Sequence, residues 1–320
     1  MYKHILSVLL MLIFAFSVFA SAAASTPGQN DPVGSPNSGT GGIVRPQGQP
    51  NSSVTPALGP GNLLYHGGAV MITNNVYSIY WVPAGFMVSS GYTSTINQFF
   101  RDVAADSGKS TNVYFASTQY QNSGRRFITY KSQFKGTYFD RGDFPTSGCP
   151  LYSGLLTCLT DAQIQVEIER VIAVNGWVAN SNTEFFMFTP KSVGSCFDSL
   201  LSSGCAFTQY CAYHGFVGSL IYANMPYTYT IPRACGVSRS PNHNFAADST
   251  INVTSHEHNE SITDFGLDAW YDSAGNEDGD KCAWIFGSLP YGYNQTINQH
   301  HYILQEEWSN RSRGCRLTGQ

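Results

Sequence analysis

The chain has 320 residues with a formal net charge of −4, and charged residues make up 12% of it. Lys and Arg form no run, which argues against nucleic acid or an anionic membrane surface as a partner. A hydrophobic fraction of 42% is ample for one well-buried core.

The first 24 residues have the pattern of a secretory signal peptide. Lys3 and His4 precede an apolar run over 5–20, and small residues follow it. The run is short for a membrane span, which needs about 20 apolar residues, and no stop-transfer charges follow. We therefore expect a secreted protein, extracellular or in a cell wall, with no membrane partner after cleavage.

Residues 25–62 are predicted to form a disordered linker. They are rich in Pro, Gly, Ser, Asn, Gln and Thr, and Asp31 and Arg45 are their only charged residues. Such a segment cannot bury enough apolar surface to offset its ordering entropy. We favour a linker over a propeptide because nothing in the segment resembles a group that occupies a site. The globular domain then covers residues 63–320.

Strand and helix patterns alternate through the globular domain. The stretch 69–82 is predicted to hold one or two strands around Asn74-Asn75, and further strands are predicted over 112–120, 126–134, 184–188 and 219–223. A helix is predicted over 92–106, and a second opens on the Thr160–Gln163 capping box and ends at Gly176. This alternation predicts a single α/β or α+β domain with a mixed sheet flanked by helices.

Eight cysteines, an even number, are expected to form disulfides in an oxidising compartment. The chain contains no C-x-x-C pair, which argues against a zinc site with thiolate ligands. The local pairings are predicted to be Cys149 with Cys158 and Cys282 with Cys315. The pairing of the other four stays open: Cys196, Cys205, Cys211 and Cys235.

Two kinds of short motif have low specificity in this chain. Five N-x-[ST] sequons accept glycans only in a host that glycosylates: Asn51, Asn252, Asn259, Asn294 and Asn310. We predict that Asn259 carries no glycan, because it lies within the acidic helix described next. The Arg-Gly-Asp tripeptide at 141–143 is common by chance and is assigned no function.

The segment 256–260 reads His-Glu-His-Asn-Glu and is the most informative part of the sequence. On a helix, His256 and Glu260 lie one turn apart on the same face. The H-E-x-x-E pattern differs from the H-E-x-x-H of zinc metallopeptidases in having a carboxylate as second ligand. We predict a zincin-like helix in which His256 and Glu260 bind the metal and Glu257 is the general base.

The segment 275–280 supplies three carboxylates downstream of this helix. Thermolysin-like peptidases take their third ligand from a downstream Asn-Glu segment, so we predict Glu277, with Asp280 as the alternative. Zn2+ is the expected cofactor. Two carboxylates and one imidazole neutralise more of the metal charge than two imidazoles and one carboxylate, which keeps Ca2+ and Mn2+ open.

Several other interpretations remain open at this point. His214 stands among aromatic residues beside a cysteine and is predicted to be a core histidine or a substrate-side residue. The acidic helix face can also be merely solvated. Asp248 or Ser249 is expected to cap the helix. Trp270 and Tyr271 are candidates for stacking on a sugar.

Separate segments fall in an order that resembles a known family. They are YHGGAV at 65–70, Tyr80-Trp81, YCAYHGF at 210–216, SHEHNE at 255–260, DAWY at 268–271, NEDGDKC at 276–282, YILQ at 302–305 and Cys315. Together they are similar to the EXORDIUM family, also called phosphate-induced proteins, over about residues 64–315. The resemblance implies an extracellular or wall-associated protein with a zincin-like His-Glu helix.

We therefore expect a secreted, monomeric, zinc-dependent hydrolase of the peptidase type that acts on an extracellular protein or a wall polymer. The alternative is a non-catalytic extracellular or wall protein with a structural cation or a carbohydrate-binding role.

Overall fold

The computed structural model describes residues 42–47, 61–152, 154–201 and 204–319, all of which belong to one compact unit. The predicted signal peptide, most of the predicted linker and the sequon at Asn51 lie outside these residues. Within the described ranges, no helix is both long and apolar enough to cross a membrane.

The strands in chain order are β1 Ile43–Val44, β2 Leu64–Tyr65, β3 Asn74–Trp81, β4 Ser132–Asp140, β5 Thr157–Thr160, β6 Thr183–Phe188, β7 Val193–Cys196, β8 Ala212–Val217, β9 Leu220–Met225, β10 Trp270–Tyr271, β11 Gln295–Ile297, β12 His300–Tyr302, β13 Glu307–Ser309 and β14 Gly314–Arg316. The α-helices are α1 Tyr92–Ala105, α2 Asp161–Asn175, α3 Pro232–Cys235 and α4 Phe245–Asp264. Three 3-10 helices are described at Val113–Gln119, Thr228–Thr230 and Asp280–Cys282.

The main sheet has six strands in the order β1-β8-β9-β6-β3-β4. β3 pairs in parallel with β4 and β6, and β6 pairs in parallel with β9. β8 runs antiparallel to β9, and β1 runs antiparallel to β8 at the edge of the sheet. The predicted mixed sheet is confirmed. The remaining strands form two-stranded pairs: β10 with β2, β11 with β12, β13 with β14 and β5 with β7.

Helices cover both faces of this sheet. Phe186 of β6 lies 5.0 Å from Phe100 of α1 and 5.5 Å from His258 of α4, measured between ring centroids. The preceding residue, Phe185, instead contacts Trp177 just beyond α2, at 6.1 Å. Successive strand residues point to opposite faces, so α1 and α4 cover one face and α2 the other. Burial on both sides explains why β6 has no exposed residue.

Local signals placed α1 and α2 correctly. The capping box predicted at Thr160 is present, with its hydroxyl accepting from the Gln163 N–H and the Gln163 side chain accepting in return. α2 ends at Gly176 in the left-handed conformation, with φ of 62°, as predicted. These are short-range interactions, which is why the sequence alone could specify them.

Other element predictions were wrong or displaced. The stretch predicted as a strand at 112–120 is a 3-10 helix, because the Asn112 side chain accepts from the Tyr114 N–H and caps it. The strand predicted at 126–134 starts at Ser132 and continues to Asp140. The N-cap of α4 is Asn244, four or five residues before the predicted caps Asp248 and Ser249, because the Asn244 side chain accepts from the Ala247 N–H.

Four disulfides tie the described residues together. Cys149–Cys158 and Cys282–Cys315 form as predicted. The pairings left open are Cys196–Cys205 and Cys211–Cys235. The sulfurs of Cys158 and Cys196 lie 3.8 Å apart, but each belongs to its own bridge, so this cluster offers no thiolate ligand.

Two predictions about polar segments have different outcomes. Residues 42–47 belong to the predicted disordered linker, yet Ile43 and Val44 are buried and form β1. The prediction failed there because the edge of β8 supplies long-range backbone partners that composition does not reveal. Asn259 is fully buried in α4, as is Asn252, and neither side chain has room for a glycan.

Candidate metal centre

α4 is the central element of the site and is buried on every side. All residues from Ala246 to Asp264 are buried, although most of their side chains are polar or charged. A polar side chain in the interior needs a hydrogen bond, an ion pair or a metal to offset its lost hydration. The acidic face predicted as solvated in one interpretation is therefore not solvated.

His214, on β8, faces the acidic stripe of α4. Its Nδ1 lies 3.1 Å from Oε2 of Glu257 and 3.6 Å from Oε2 of Glu260. Its Nε2 lies 3.8 Å from Oε1 of Glu277, which comes from the loop after β10. Strand, helix and loop thus bring one imidazole and three carboxylates into direct proximity.

The ligand atoms of His214, Glu260 and Glu277 all lie within 4.8 Å of one another. None of these three side chains is more than 1% exposed. Nε2 of His214, Oε2 of Glu260 and both carboxylate oxygens of Glu277 have no hydrogen-bond partner among the described residues. Each such buried atom costs about 1–3 kcal/mol. A shared cation would remove that cost for all of them.

The contact with Glu257 can hold the His214 imidazole in the tautomer that suits metal binding. When Glu257 is ionised, as a bound cation would favour, its Oε2 can only accept, which places the proton on Nδ1 of His214. Nε2 then carries the lone pair and points towards Glu277. A carboxylate behind a histidine ligand is a recurrent way to orient the ring and raise its basicity.

Both oxygens of Glu257, the predicted general base, are engaged in this conformation. Oε1 accepts from the Val44 backbone N–H at 3.1 Å, and Oε2 faces His214. The structure therefore gives Glu257 an orienting contact with a neighbouring histidine. Proton transfer from a water would require the Val44 contact to open.

His256, predicted as the first ligand, has a different environment from His214. The side-chain oxygen of Gln305 accepts from the Trp284 N–H, so its amide nitrogen must be the donor to Nδ1 of His256, at 3.3 Å. The proton of the neutral ring then sits on Nε2, 2.9 Å from Oε1 of Glu260 but off the ideal hydrogen-bond direction. A protonated Nε2 has no lone pair for a metal.

A second group of three side chains is also compact: His256, Glu257 and Glu260 have ligand atoms within 4.8 Å of one another. We favour His214, Glu260 and Glu277 instead. The proton on His256 Nε2 and the two contacts of Glu257 leave the second group with fewer free lone pairs. His256 then serves to position Glu260.

Asp280, the alternative third ligand, lies beside the site without joining either group. Its Oδ2 accepts from the Glu277 N–H at 3.3 Å, and its Oδ1 lies 3.8 Å from the Arg45 guanidinium. Its own N–H donates to Oε1 of Glu260 at 2.9 Å. The contacts of Asp280 are therefore with the loop, Arg45 and Glu260, and Glu277 is the loop residue in the compact group with His214.

Gly279 allows this loop to approach α4 closely. A Cβ at this position would lie 2.9 Å from Cγ and Nδ1 of His256 and 3.0 Å from Oε1 of Glu260. Any side chain would push the loop, and with it Glu277, away from the helix. The glycine at 279 is therefore a steric requirement of the site.

Burial dominates the titration of the whole cluster. It lowers the pKa of His214 to about 3 and that of His256 to about 4, so both rings are neutral. It raises the pKa of Glu260 to about 8 and the pKa of Glu257 and Glu277 well above the ordinary value. Neighbouring carboxylates raise the pKa of Glu257 and Glu277 further. A bound cation would reverse this by stabilising the ionised carboxylates.

Other predicted site residues are not part of the cluster. His300 and His301 are exposed on β12, as predicted for surface residues. Trp270 packs against Tyr65 and Tyr120 and donates from its indole nitrogen to the Gln121 carbonyl. These contacts account for Trp270 as part of the packing around β10.

The sequence analysis did not assign His214 as a metal ligand. One local signal does indicate the strand on which it lies. Val217 pairs with Leu220 around a two-residue turn that starts with Gly218 in the left-handed conformation, at φ of 58°. A turn of this kind between apolar stretches indicates a β-hairpin. No local signal places that hairpin beside α4.

A comparison of the chain with known protein families, with characterised proteins and with solved structures finds no significant match.

Proposed function

We propose that the protein is a secreted, metal-dependent hydrolase in which His214, Glu260 and Glu277 hold one divalent cation. The observation that carries the proposal is the convergence of four buried ligand atoms that have no partner among the described residues. One imidazole nitrogen and two carboxylates are a ligand set that Zn2+ accepts. Zinc is our first choice, and the oxygen-rich set keeps Mn2+ and Ca2+ as competitors.

A divalent cation in this position would supply Lewis acidity for hydrolysis. The surrounding residues hold the ligands in place: Glu257 orients His214, His256 contacts Glu260, and the Asp280 N–H donates to Glu260. The donors and acceptors are buried, where such contacts are stronger than in water. The arrangement therefore favours a pre-organised site.

The substrate and setting proposed from the sequence carry over as part of this proposal. They are an extracellular protein or a wall polymer, acted on by a monomer, in line with the resemblance to the EXORDIUM family. The four disulfides support an oxidising compartment, since bridges of this kind persist outside the cytosol.

A second candidate function is a structural cation in a non-catalytic extracellular protein. The specific observation in its favour is burial, because the three proposed ligands are 0%, 0% and 1% exposed. A catalytic cation keeps a position open to water and substrate, whereas a structural one is closed. The two candidates share the ion and differ in whether the site can open.

Elemental analysis of protein purified from a secreting host tests the shared claim. We expect one divalent ion per chain that survives gel filtration and is removed by prolonged chelation. Glu277→Gln should lose the ion, because a neutral amide is a much weaker ligand. Glu169→Gln, on the exposed side of α2, is the matched control and should retain it. Metal-free wild-type protein that takes up no Zn2+, Mn2+ or Ca2+ would refute both candidates.

A further inference from the structure

The N-terminal segment 42–47 adds a short strand, β1, to the edge of β8, the strand that carries His214. Ile43 stands opposite Tyr213 and Val44 opposite Ala212, in antiparallel register. The backbone N–H of His214 donates to the Gly42 carbonyl at 3.1 Å, and that of Cys211 donates to the Val44 carbonyl at 2.6 Å. The segment therefore pairs with the strand that carries a proposed ligand.

The same segment also reaches the interior of the site. The Val44 N–H occupies one oxygen of Glu257, and the Arg45 guanidinium lies 3.8 Å from Asp280. Gly42 lies against the ring of His214, since a Cβ there would be 3.5 Å from its Cε1. Residues 42–45 thus cover the cluster on the side of the β8 edge.

Backbone atoms make most of the remaining contacts. The Trp284 indole N–H donates to the Arg45 carbonyl at 2.7 Å, and the Gln47 N–H donates to the Ala234 carbonyl at 2.8 Å. Recognition through main-chain bonds at a sheet edge, with a few side chains held in pockets, is how proteins bind extended peptides. Here the side chains of Val44 and Pro46 are buried and that of Arg45 meets an acidic residue.

Residues 48–60, which connect this segment to the rest of the described chain, contain no charged residue and are rich in Pro, Gly and Ser. That composition is typical of a linker. β1 has two residues against eight in β3, and its two side chains, Ile43 and Val44, are buried in the hydrophobic core. Release of the segment would expose these two side chains, and an extended peptide with apolar residues at the same positions would cover the same surface.

We infer that the edge of β8, between Cys211 and His214, is a binding site for an extended polypeptide, and that residues 42–47 occupy it as a built-in ligand that closes the metal site. If the proposed function is correct, this inference also gives the substrate class, which is an extended polypeptide. That consequence rests on the proposed function. The groove itself is defined by the contacts with the segment and does not depend on the ion.

The test uses the full chain with residues 50–56 replaced by a recognition sequence for a site-specific protease. The folded protein is cleaved, and a fluorescent peptide Gly-Gly-Ile-Val-Arg-Pro-Gln is added before and after cleavage. We expect saturable binding to the cleaved protein, at least about tenfold weaker binding to the uncleaved protein, and no binding of a peptide with the same residues in scrambled order. Removal of Zn2+ by a chelator should be at least about tenfold faster after cleavage.

A second variant tests the contact with the site in the uncleaved chain. Val44→Pro removes the N–H that donates to Glu257 and keeps the carbonyl that accepts from Cys211. We expect faster chelation of Zn2+ than in the wild type. Ser53→Pro, a change within the connecting residues, is the control and should leave the rate unchanged.

The outcomes separate this inference from the proposed function. Peptide binding by a cleaved protein that holds no metal would refute the proposed function and retain the groove. A cleaved protein that keeps its metal, unfolds at the same temperature and binds no peptide would overturn the groove. Global unfolding on cleavage would also overturn it, because residues 42–47 would then be an integral strand.

Discussion

Nδ1 of His214 and Oε2 of Glu257 lie 3.1 Å apart, and neither side chain is exposed. This contact joins the edge region of the main sheet to the central helix and, when Glu257 is ionised, sets which nitrogen of His214 is free. The arrangement makes Glu257 a residue whose substitution should affect metal binding, a result that a purely proton-transferring residue would not produce.

Glu257→Gln is expected to weaken Zn2+ binding by about 10–100-fold, the usual effect of losing the partner behind a histidine ligand. The Gln side-chain oxygen can still accept from the Val44 N–H, which turns its amide nitrogen towards Nδ1 of His214. The imidazole proton then moves to Nε2 and blocks the ligand position. Competition with a chromophoric zinc chelator measures the change, with Glu169→Gln as the control. An unchanged affinity for Zn2+ would show that Glu257 does not orient His214 and would leave only the predicted role as general base.

His214→Ala and His256→Ala should differ in their effect on metal content. His214→Ala removes a proposed ligand and is expected to leave less than about one tenth of the metal bound after gel filtration. His256→Ala removes a contact to Glu260 and should retain most of it, because indirect contacts contribute less than ligands. Thermal unfolding of both apo proteins controls for the cavity that each substitution creates. A greater loss in His256→Ala would support the original assignment of His256 as the ligand.

The Cys282–Cys315 bridge should contribute more stability than the Cys149–Cys158 bridge. The cysteines of the first bridge are 33 residues apart in sequence and those of the second are 9 apart. Closing the longer loop removes more conformational entropy from the unfolded chain. The loop-length relation gives a difference of about 1 kcal/mol in the free energy of unfolding. Urea unfolding of the two Cys-to-Ser double variants, both as apo protein, measures it. Equal or reversed losses would mean that native-state contacts outweigh loop entropy.

The buried pair of Asp272 and Lys281 should make stability depend on pH in the acid range. Burial raises the pKa of Asp272, but hydrogen bonds from the Lys281 ammonium, 2.8 Å away, and from Asn276 outweigh it, so the pKa is lowered below its ordinary value. A carboxyl group with a lowered folded pKa stabilises the protein above the unfolded pKa. That stabilisation is lost as pH falls through the folded pKa.

The measurement is the difference in the free energy of unfolding between the wild type and Asp272→Asn, from urea titrations of the apo proteins. At pH 6–7 we expect a difference of about 3–5 kcal/mol, because the variant removes the carboxylate that lies 2.8 Å from a buried ammonium. Below pH 4 the difference should shrink. A difference that is constant across this range would show that Asp272 does not titrate with a lowered pKa.

Local sequence signals accounted for several elements and for part of the site. The capping box at Thr160 and the glycine after α2 are interactions within one or two turns, and both are present. The residues predicted around the acidic helix were also informative, since Glu260 and Glu277 meet in the interior with ligand atoms close together. Local signals failed at 112–120, where a side-chain cap favours a 3-10 helix over the expected strand.

The sequence by itself determined that a helix carries His256, Glu257 and Glu260 and that an acidic loop follows it, because spacing along a helix is a property of consecutive residues. Only the tertiary structure decided that His214 meets Glu257, 43 residues away, and that Val44 reaches the same carboxylate from 213 residues away. Contacts at such separations depend on how the sheet orders its strands, and no local pattern of residues encodes that order.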